Sequence, residues 1–389
     1  MAMSLVETLA DLVRINSVNP EWDGPGEREV AAYVKAFFED AGIEVSEHEV
    51  LPNRPNILVR LPGRNRSRTV LFEVHLDTVS VDDMTIPPFD PEIRGGRLYG
   101  RGACDDKGSL AAMMHAVRDV HQSGKPPPCD VLLAAVSDEE HLHRGVNMLI
   151  EVLRESGDPL PVAAVVAEPT ELRLARANKG VLRWRIATRG KSAHSSKPHL
   201  GVNAITAMTP VIQAIDADQQ QLAQKEHPLV GQATCSIGLI DGGAQVNFVP
   251  EHCRITLDRR MLPGETREEV LVYYEAILDH VRSRNPGLSV ASEAPYLADE
   301  AMETAANSPV VQVSSRVLDS MNLEPEPIGV PYGCDGTKLS RAGIPSVVFG
   351  PGSIDQAHAA VEYVAIDQVE KALAFYRQFL LDSGDDNTQ

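Results

Sequence analysis

The chain has 389 residues, and its 36 basic and 55 acidic side chains leave a net charge of −19. At ~150 residues per domain this length allows about two domains, and 43% hydrophobic with 23% charged residues is a folding composition that excludes wholesale disorder. The acidic balance argues against a phosphate-backbone ligand, which needs a clustered basic surface, but leaves room for a small cationic substrate. Apolar stretches such as Val131–Val136 fall far short of the ~20 residues of a membrane span, so no membrane partner is expected. The N-terminus offers no basic segment followed by an apolar run, so no secretory leader is expected either. The five cysteines, Cys104, Cys129, Cys235, Cys253 and Cys334, are widely spaced and form no CxxC pair. That points to buried thiols in a reducing cytoplasm rather than a disulfide framework or a thiolate metal site.

Residues 5–41 predict two amphipathic helices, with Leu5, Leu9, Leu12 and Val13 sharing one face and Val30, Val34, Phe37 and Phe38 another. Gly42 stands where a helix ends. Strand signals then alternate with helical ones: Ile57–Leu61, Val70–Val74, Val131–Val136 and Ala163–Ala167 read as strands, Gly108–His121 and Val146–Leu153 as helices. Unbroken apolar strands suit a mostly parallel sheet covered on both faces, an α/β architecture. Near Gly180 the rhythm changes. Leu182, Trp184 and Ile186 alternate with Arg183 and Arg185, the mark of a strand with one wet face. A helical stretch 203–221, strands near Cys235–Ile240 and Cys253–Leu257, and a helix Val270–Val281 follow. This β-α-β-β-α order predicts a small α+β, ferredoxin-like sandwich over 180–292, inserted between segments 1–179 and 293–389 of a larger domain. The polar tail Asp382–Gln389 is expected to fray.

Several familiar patterns fail. Gly190-Lys-Ser192 lacks the first glycine of a phosphate loop, having Arg185 there, and Gly100-Arg-Gly102 places Asp105 where a dinucleotide pyrophosphate would lie. Neither a Gly-x-Ser-x-Gly elbow nor a His-Glu-x-x-His helix occurs. What remains is a series of imidazoles and carboxylates at the ends of apolar runs. One strand ends in His75-Leu-Asp77, where alternate residues share a face and the acid can fix the imidazole tautomer; a surface His/Asp pair gives the same spelling. Asp105-Asp106 opens the Gly108–His121 helix, either as a plain N-cap or as a carboxylate pair that needs a cation to stay ionised. Ser137-Asp-Glu-Glu140 follows the most apolar strand; its two glutamates could divide cation binding from proton transfer or simply form a solvated loop. His141 and His143 next to them read as outlying or surface side chains. Glu168-Pro169 ends another strand, and Ser346-Val-Val-Phe349 leads through Asp355 and Gln356 to His358. Taken together, this thiolate-free mixture is what one or two zinc-like hydrolytic ions prefer.

These segments, with Arg189-Gly-Lys-Ser-Ala-His194 and Asp258-Arg-Arg-Met-Leu-Pro-Gly264, resemble the binuclear zinc metallohydrolases that include acetylornithine deacetylase, succinyl-diaminopimelate desuccinylase, aminoacylase and carboxypeptidase G. The resemblance spans nearly the whole chain. It implies a parallel-sheet zinc-hydrolase catalytic domain and makes the insert a dimerisation or lid domain. It further implies Asp105 bridging two divalent ions, zinc first with cobalt or manganese as the others. His75 and Glu168 would complete one ion and Glu140 and His358 the other. Asp77 would hold the His75 ring from behind, and Glu139 would be the general base for the attacking water. A strained cis bond is implied between Asp105 and Asp106. In the insert, His194 would stabilise the oxyanion in the partner's active site. Arg260, with Arg259 as the neighbouring choice, would clamp a substrate carboxylate, with Asn247 as a polar contact beside it.

The sequence departs from that pattern in two places. His141-Leu-His-Arg144 stands where a glycine-rich stretch is usual, and Val361-Glu362 stands where an acidic pair is usual, leaving one supporting carboxylate short. The expected protein is a cytoplasmic homodimer that hydrolyses an N-acyl amino acid. A di- or tripeptidase or carboxypeptidase acting on short peptides is the alternative, and a non-catalytic binding protein on the same fold lies further off.

Overall fold

The computed structural model describes residues 3–383. Met1, Ala2 and all but the start of the polar tail lie outside the described residues; of that tail, Asp382 closes the last helix, Ile366–Asp382. The chain divides into two compact units. One comprises residues 1–176, 304–328 and 334–389, and the other residues 177–303 and 329–333.

In the first unit the sheet runs Glu44–Leu51, Arg54–Leu61, Cys129–Val136, Asn65–His75, Ala163–Val166, Ser346–Val348, Ala175–Asn178. The three joins in the middle are parallel, and those outside them are antiparallel. The apolar runs therefore occupy the sheet centre, as expected for strands covered on both faces. Because the central four strands run the same way, they end on one edge, with His75 opposite Val136, Glu73 opposite Val166 and Val348 also opposite Val166. That edge is where an open α/β sheet presents its ligand residues.

Helix Leu5–Arg14 starts at Ser4 with a reciprocal Ser4/Glu7 capping box, and Gly42 takes the left-handed conformation (φ 72°) after Arg28–Glu39. Helices Lys107–Gln122 and Ile366–Asp382 pack together. An aromatic cluster of Phe72, Phe349, Phe375, Tyr376 and Phe379 fills the core beside them, with the Tyr376 hydroxyl donating to the Phe349 carbonyl at 2.8 Å.

The second unit has its own core. Strand Gly180–Arg189, helix Ala204–Leu222, strands Thr234–Gly242 and His252–Met261, helix Arg267–Arg284 and strand Ser289–Ser292 follow one another. Their antiparallel sheet has the order second, third, first, fourth, which is the ferredoxin-like arrangement. Trp184 is fully buried and meets Tyr274 edge-on at 5.0 Å. A further strand, Leu297–Asp299, pairs with Gly180–Arg189, so this unit extends to Glu303.

Candidate metal centre

Four strand ends of the first unit supply the site. His75 is the last residue of its strand, and its Nε2 lies 3.0 Å from Asp105 Oδ1. Asp105 precedes helix Lys107–Gln122 and is joined to Asp106 by a cis peptide bond. Its other oxygen, Oδ2, lies 3.2 Å from His358 Nε2, and that same nitrogen lies 3.1 Å from Glu140 Oε1. His75, Glu139 and Glu168 each bring a ligand-type atom within 4.8 Å of the others, as do His75, Asp105 and Glu140. The residues picked out by the sequence thus meet at one sheet edge, with the Asp105 carboxylate between the two imidazoles.

Asp77 departs from its expected part. The strand stops at His75, so Asp77 does not share a strand face with it. The His75 Nδ1 contact is to the Asp77 backbone carbonyl at 3.0 Å, with the nearer carboxylate oxygen at 3.7 Å. The Asp77 carboxylate instead accepts from the backbone N–H groups of Glu139 and Glu140 at 3.1 and 3.2 Å and from Asn19 Nδ2 at 2.7 Å. One residue therefore fixes both the imidazole tautomer and the loop carrying the glutamate pair.

That loop is braced from below. Asn19 also donates to Asp138 at 3.1 Å, and Arg54 binds both oxygens of Glu27 at 2.7 Å and Asp138 at 2.9 Å. Glu362, the single acid at the departure after His358, is fully buried. It accepts from Arg101 Nη1 and from the backbone N–H groups of Cys104 and Asp105. Asn19, Glu27, Arg54 and Asp335 escape sequence reasoning because they are polar residues recruited only by tertiary contact. Glu73, whose buried carboxyl meets Asp335, carried a signal, a charge inside an apolar strand.

The electrostatics show what the cluster lacks. Burial opposes ionisation of Asp105, yet hydrogen bonds from His358 and His75 hold its carboxyl well below the usual range. Burial, then Asp105 and Glu139, push Glu168 well above its usual value. Burial, with Asp335 and Glu140 adding to it, raises Glu139 to about 8. Even with His143 beside Glu139, the imidazoles are fewer than the carboxylates of Asp105, Glu139, Glu140 and Glu168 gathered in this buried site. The donor set is oxygen and imidazole nitrogen without thiolate, since Cys104 is buried, donates to the Ser353 carbonyl and is pushed well up by burial. Such donors fit borderline or hard divalent cations.

The remaining candidates belong to the second unit. Ser196 Oγ lies 2.8 Å from His194 Nδ1, and the Asn247 carbonyl accepts from the Ser195 N–H. Arg260 pairs with Asp258 at 2.8 Å, whereas Arg259 is buried and holds both oxygens of Glu265.

Acids and imidazoles gathered at the C-terminal edge of a parallel sheet define a metal-ligating α/β protein. Comparison with known proteins narrows the class. Residues 71–382 match the peptidase family M20/M25/M40, and the chain belongs to that family and is a metallohydrolase. The acetylornithine deacetylase of Myxococcus xanthus is 28% identical over 381 residues, covering 95% of each chain. Among solved structures, a tripeptidase from Staphylococcus aureus aligns with a TM-score of 0.81 at 20% identity over 98% of each chain. A dinuclear metal-binding peptidase from Bacillus subtilis aligns with a TM-score of 0.73 at 16% identity, over 97% of this chain and 96% of the other. These structural likenesses establish the fold. Among the described residues no helix is long and apolar enough to cross a membrane.

Proposed function

We propose that this protein is a metal-dependent amidohydrolase that removes the acyl group from an N-acyl amino acid, with Nα-acetylornithine or N-succinyl-diaminopimelate as the first substrates to try. The observation that carries the reading is the Asp105 carboxylate, whose two oxygens face His75 and His358 while Glu140 lies against His358. Similarity to acetylornithine deacetylases along nearly the full chain supports the choice of substrate. In this reading His75 and Glu168 hold one cation, Glu140 and His358 a second, and Asp105 both. Two divalent cations, zinc before cobalt or manganese, supply a Lewis acid for the carbonyl and lower the pKa of water from about 15.7 to about 7.

The chain's own groups do the rest. Glu139 takes the proton as the water oxygen attacks the amide carbon. It returns that proton to the nitrogen as the C–N bond breaks, and the second proton of the water passes from the new carboxyl group to the amine, leaving a carboxylate and an ammonium. Asp77 holds His75 and the Glu139–Glu140 backbone in place. Arg260, whose side chain is 32% exposed while that of Arg259 is 1% exposed, is the arginine left to clamp a substrate carboxylate; Asn247, expected next to it, lies in the turn at the other end of the Thr234–Gly242/His252–Met261 hairpin and is not its neighbour within the chain.

The second unit exposes Leu239, Ile240, Val202 and Ile205, an apolar surface that suits a homodimer in which His194 serves the partner's site. All five cysteines are buried, in keeping with a cytoplasmic home. Released-amine assays of the metal-loaded protein test the substrate: Nα-acetylornithine or N-succinyl-diaminopimelate is turned over, whereas turnover of dipeptides alone would overturn the choice.

A further inference from the structure

The stretch His141–Arg144, where the chain leaves its family's pattern, puts an imidazole beside the proposed base. His143 takes the left-handed conformation (φ 53°), and its backbone N–H donates to the Asp138 carbonyl at 2.6 Å. This turn folds the side chain back toward Glu139. Nδ1 donates to Asp335 Oδ1 at 2.8 Å and lies 3.6 Å from Glu139 Oε1. Asp335 comes from the distant turn before helix Gly336–Arg341, is 1% exposed, and has its other oxygen buried without a donor. Ligand-type atoms of Glu139, His143 and Asp335 lie within 4.8 Å of one another. Without the imidazole, two buried carboxylates would face each other across that gap and repel.

We propose that His143, anchored by Asp335, is a positioning residue that fixes the Glu139 carboxylate in its working orientation. The proposal rests on the reading of Glu139 as the base. His143 stands between Glu139 and Asp335 and gives the Glu139 oxygen one preferred direction. It touches neither the ligands of the proposed cations nor the scissile amide, so its removal disturbs the proton-transfer step rather than metal uptake.

The test uses the metal-loaded, full-length protein with Nα-acetylornithine. His143→Asn suits the left-handed backbone, since Asn tolerates it, and His143→Gln serves as a second variant should the first fold poorly. Both should lower kcat by about tenfold or more with KM within about twofold, and bound metal should stay at the wild-type level. Asp335→Asn should do the same, and the His143→Asn/Asp335→Asn double variant should be no worse than either single one. In a Glu139→Gln background, His143→Asn should cost nothing further. A raised KM with unchanged kcat, lost metal, or losses that multiply in the Glu139→Gln background would each overturn the proposal. If Glu139→Gln itself leaves kcat intact, the base assignment falls and this inference with it; if Glu139→Gln is inactive while His143→Asn keeps the wild-type kcat, the inference alone falls. Crystal structures of the wild type and His143→Asn give a readout independent of substrate: the Glu139 carboxylate should rotate away from Asp335, and an unmoved carboxylate would count against the idea.

Discussion

Glu139 and Glu140 are chain neighbours with different surroundings, and this difference suits the different work proposed for them. Glu140 lies against His358, whereas Glu139 has His143 and Asp335 on one side and Glu168 and His75 on the other. Glu139→Gln keeps the shape and removes the proton acceptor. It should leave bound metal unchanged and lower kcat by at least ~10²-fold, as measured by metal analysis and steady-state kinetics on one preparation. Loss of metal in that variant would mean the two roles are exchanged.

His115 makes a separate point about pH. It is buried, with Nε2 2.8 Å from Thr8 Oγ1 and Nδ1 2.8 Å from the Arg118 guanidinium, so its ring is neutral and donates from Nε2. Burial and then the Arg118 charge push the imidazole down to about 4, against ~6.5 in an unfolded chain. Between those values the unfolded chain binds a proton that the folded one refuses, so stability falls as pH drops from about 6.5 toward 4. Denaturant midpoints at pH 7 and pH 5 should differ less for His115→Gln than for the wild type.

The loop carrying the glutamates depends on how closely helix Arg144–Glu155 begins beneath it. A Cβ on Gly145 would stand 2.2 Å from the Ser137 carbonyl oxygen and 2.5 Å from its nitrogen, where the Gly145 N–H and carbonyl are already bonded to Ser137 and Asn56. Gly145→Ala must therefore push the loop and helix apart. A cost of about 2–4 kcal/mol is expected, seen as a lower melting temperature together with reduced kcat, because Glu139 moves with the loop.

The central strands are legible in the sequence because burial on both faces leaves an uninterrupted apolar run, and Val131–Val136 shows this most plainly. Strand Glu44–Leu51 is not legible: it forms the antiparallel margin, none of its residues is buried, and three of its eight residues are glutamates. The site divides in the same way. His75, Asp105, Glu140 and Glu168 stand at or within a few residues of strand or helix ends that the chain spells out locally, and His358 follows in the turn after strand Ser346–Val348. The Asp335–His143 contact and the Arg54–Glu27–Asp138 brace join positions far apart in sequence, so nothing local announces them. Glu362 shows the reverse: a lone acid that looked one short of its pattern is tied by three hydrogen bonds.

Each of the two compact units has its own core, and every proposed cation ligand belongs to the first. A cation that binds only the folded first unit stabilises that unit alone, by about 2.7 kcal/mol when present at a hundredfold excess over its dissociation constant. Scanning calorimetry should resolve two transitions, because multi-unit chains depart from a single two-state step. Chelation should lower the temperature of one transition and leave the other in place. Equal movement of both would mean that the units unfold as one.

His75 and His358 grip opposite oxygens of the same aspartate, yet the first side chain is 2% exposed and the second 51%. Solvent and small chelators therefore have a door on one flank of Asp105 and a wall on the other. If Asp105 serves two cations as proposed, depletion should run in sequence, the His358–Glu140 side emptying before the His75–Glu168 side, so that dialysis passes through a singly occupied species; simultaneous loss of both ions would count against two sites of unequal access.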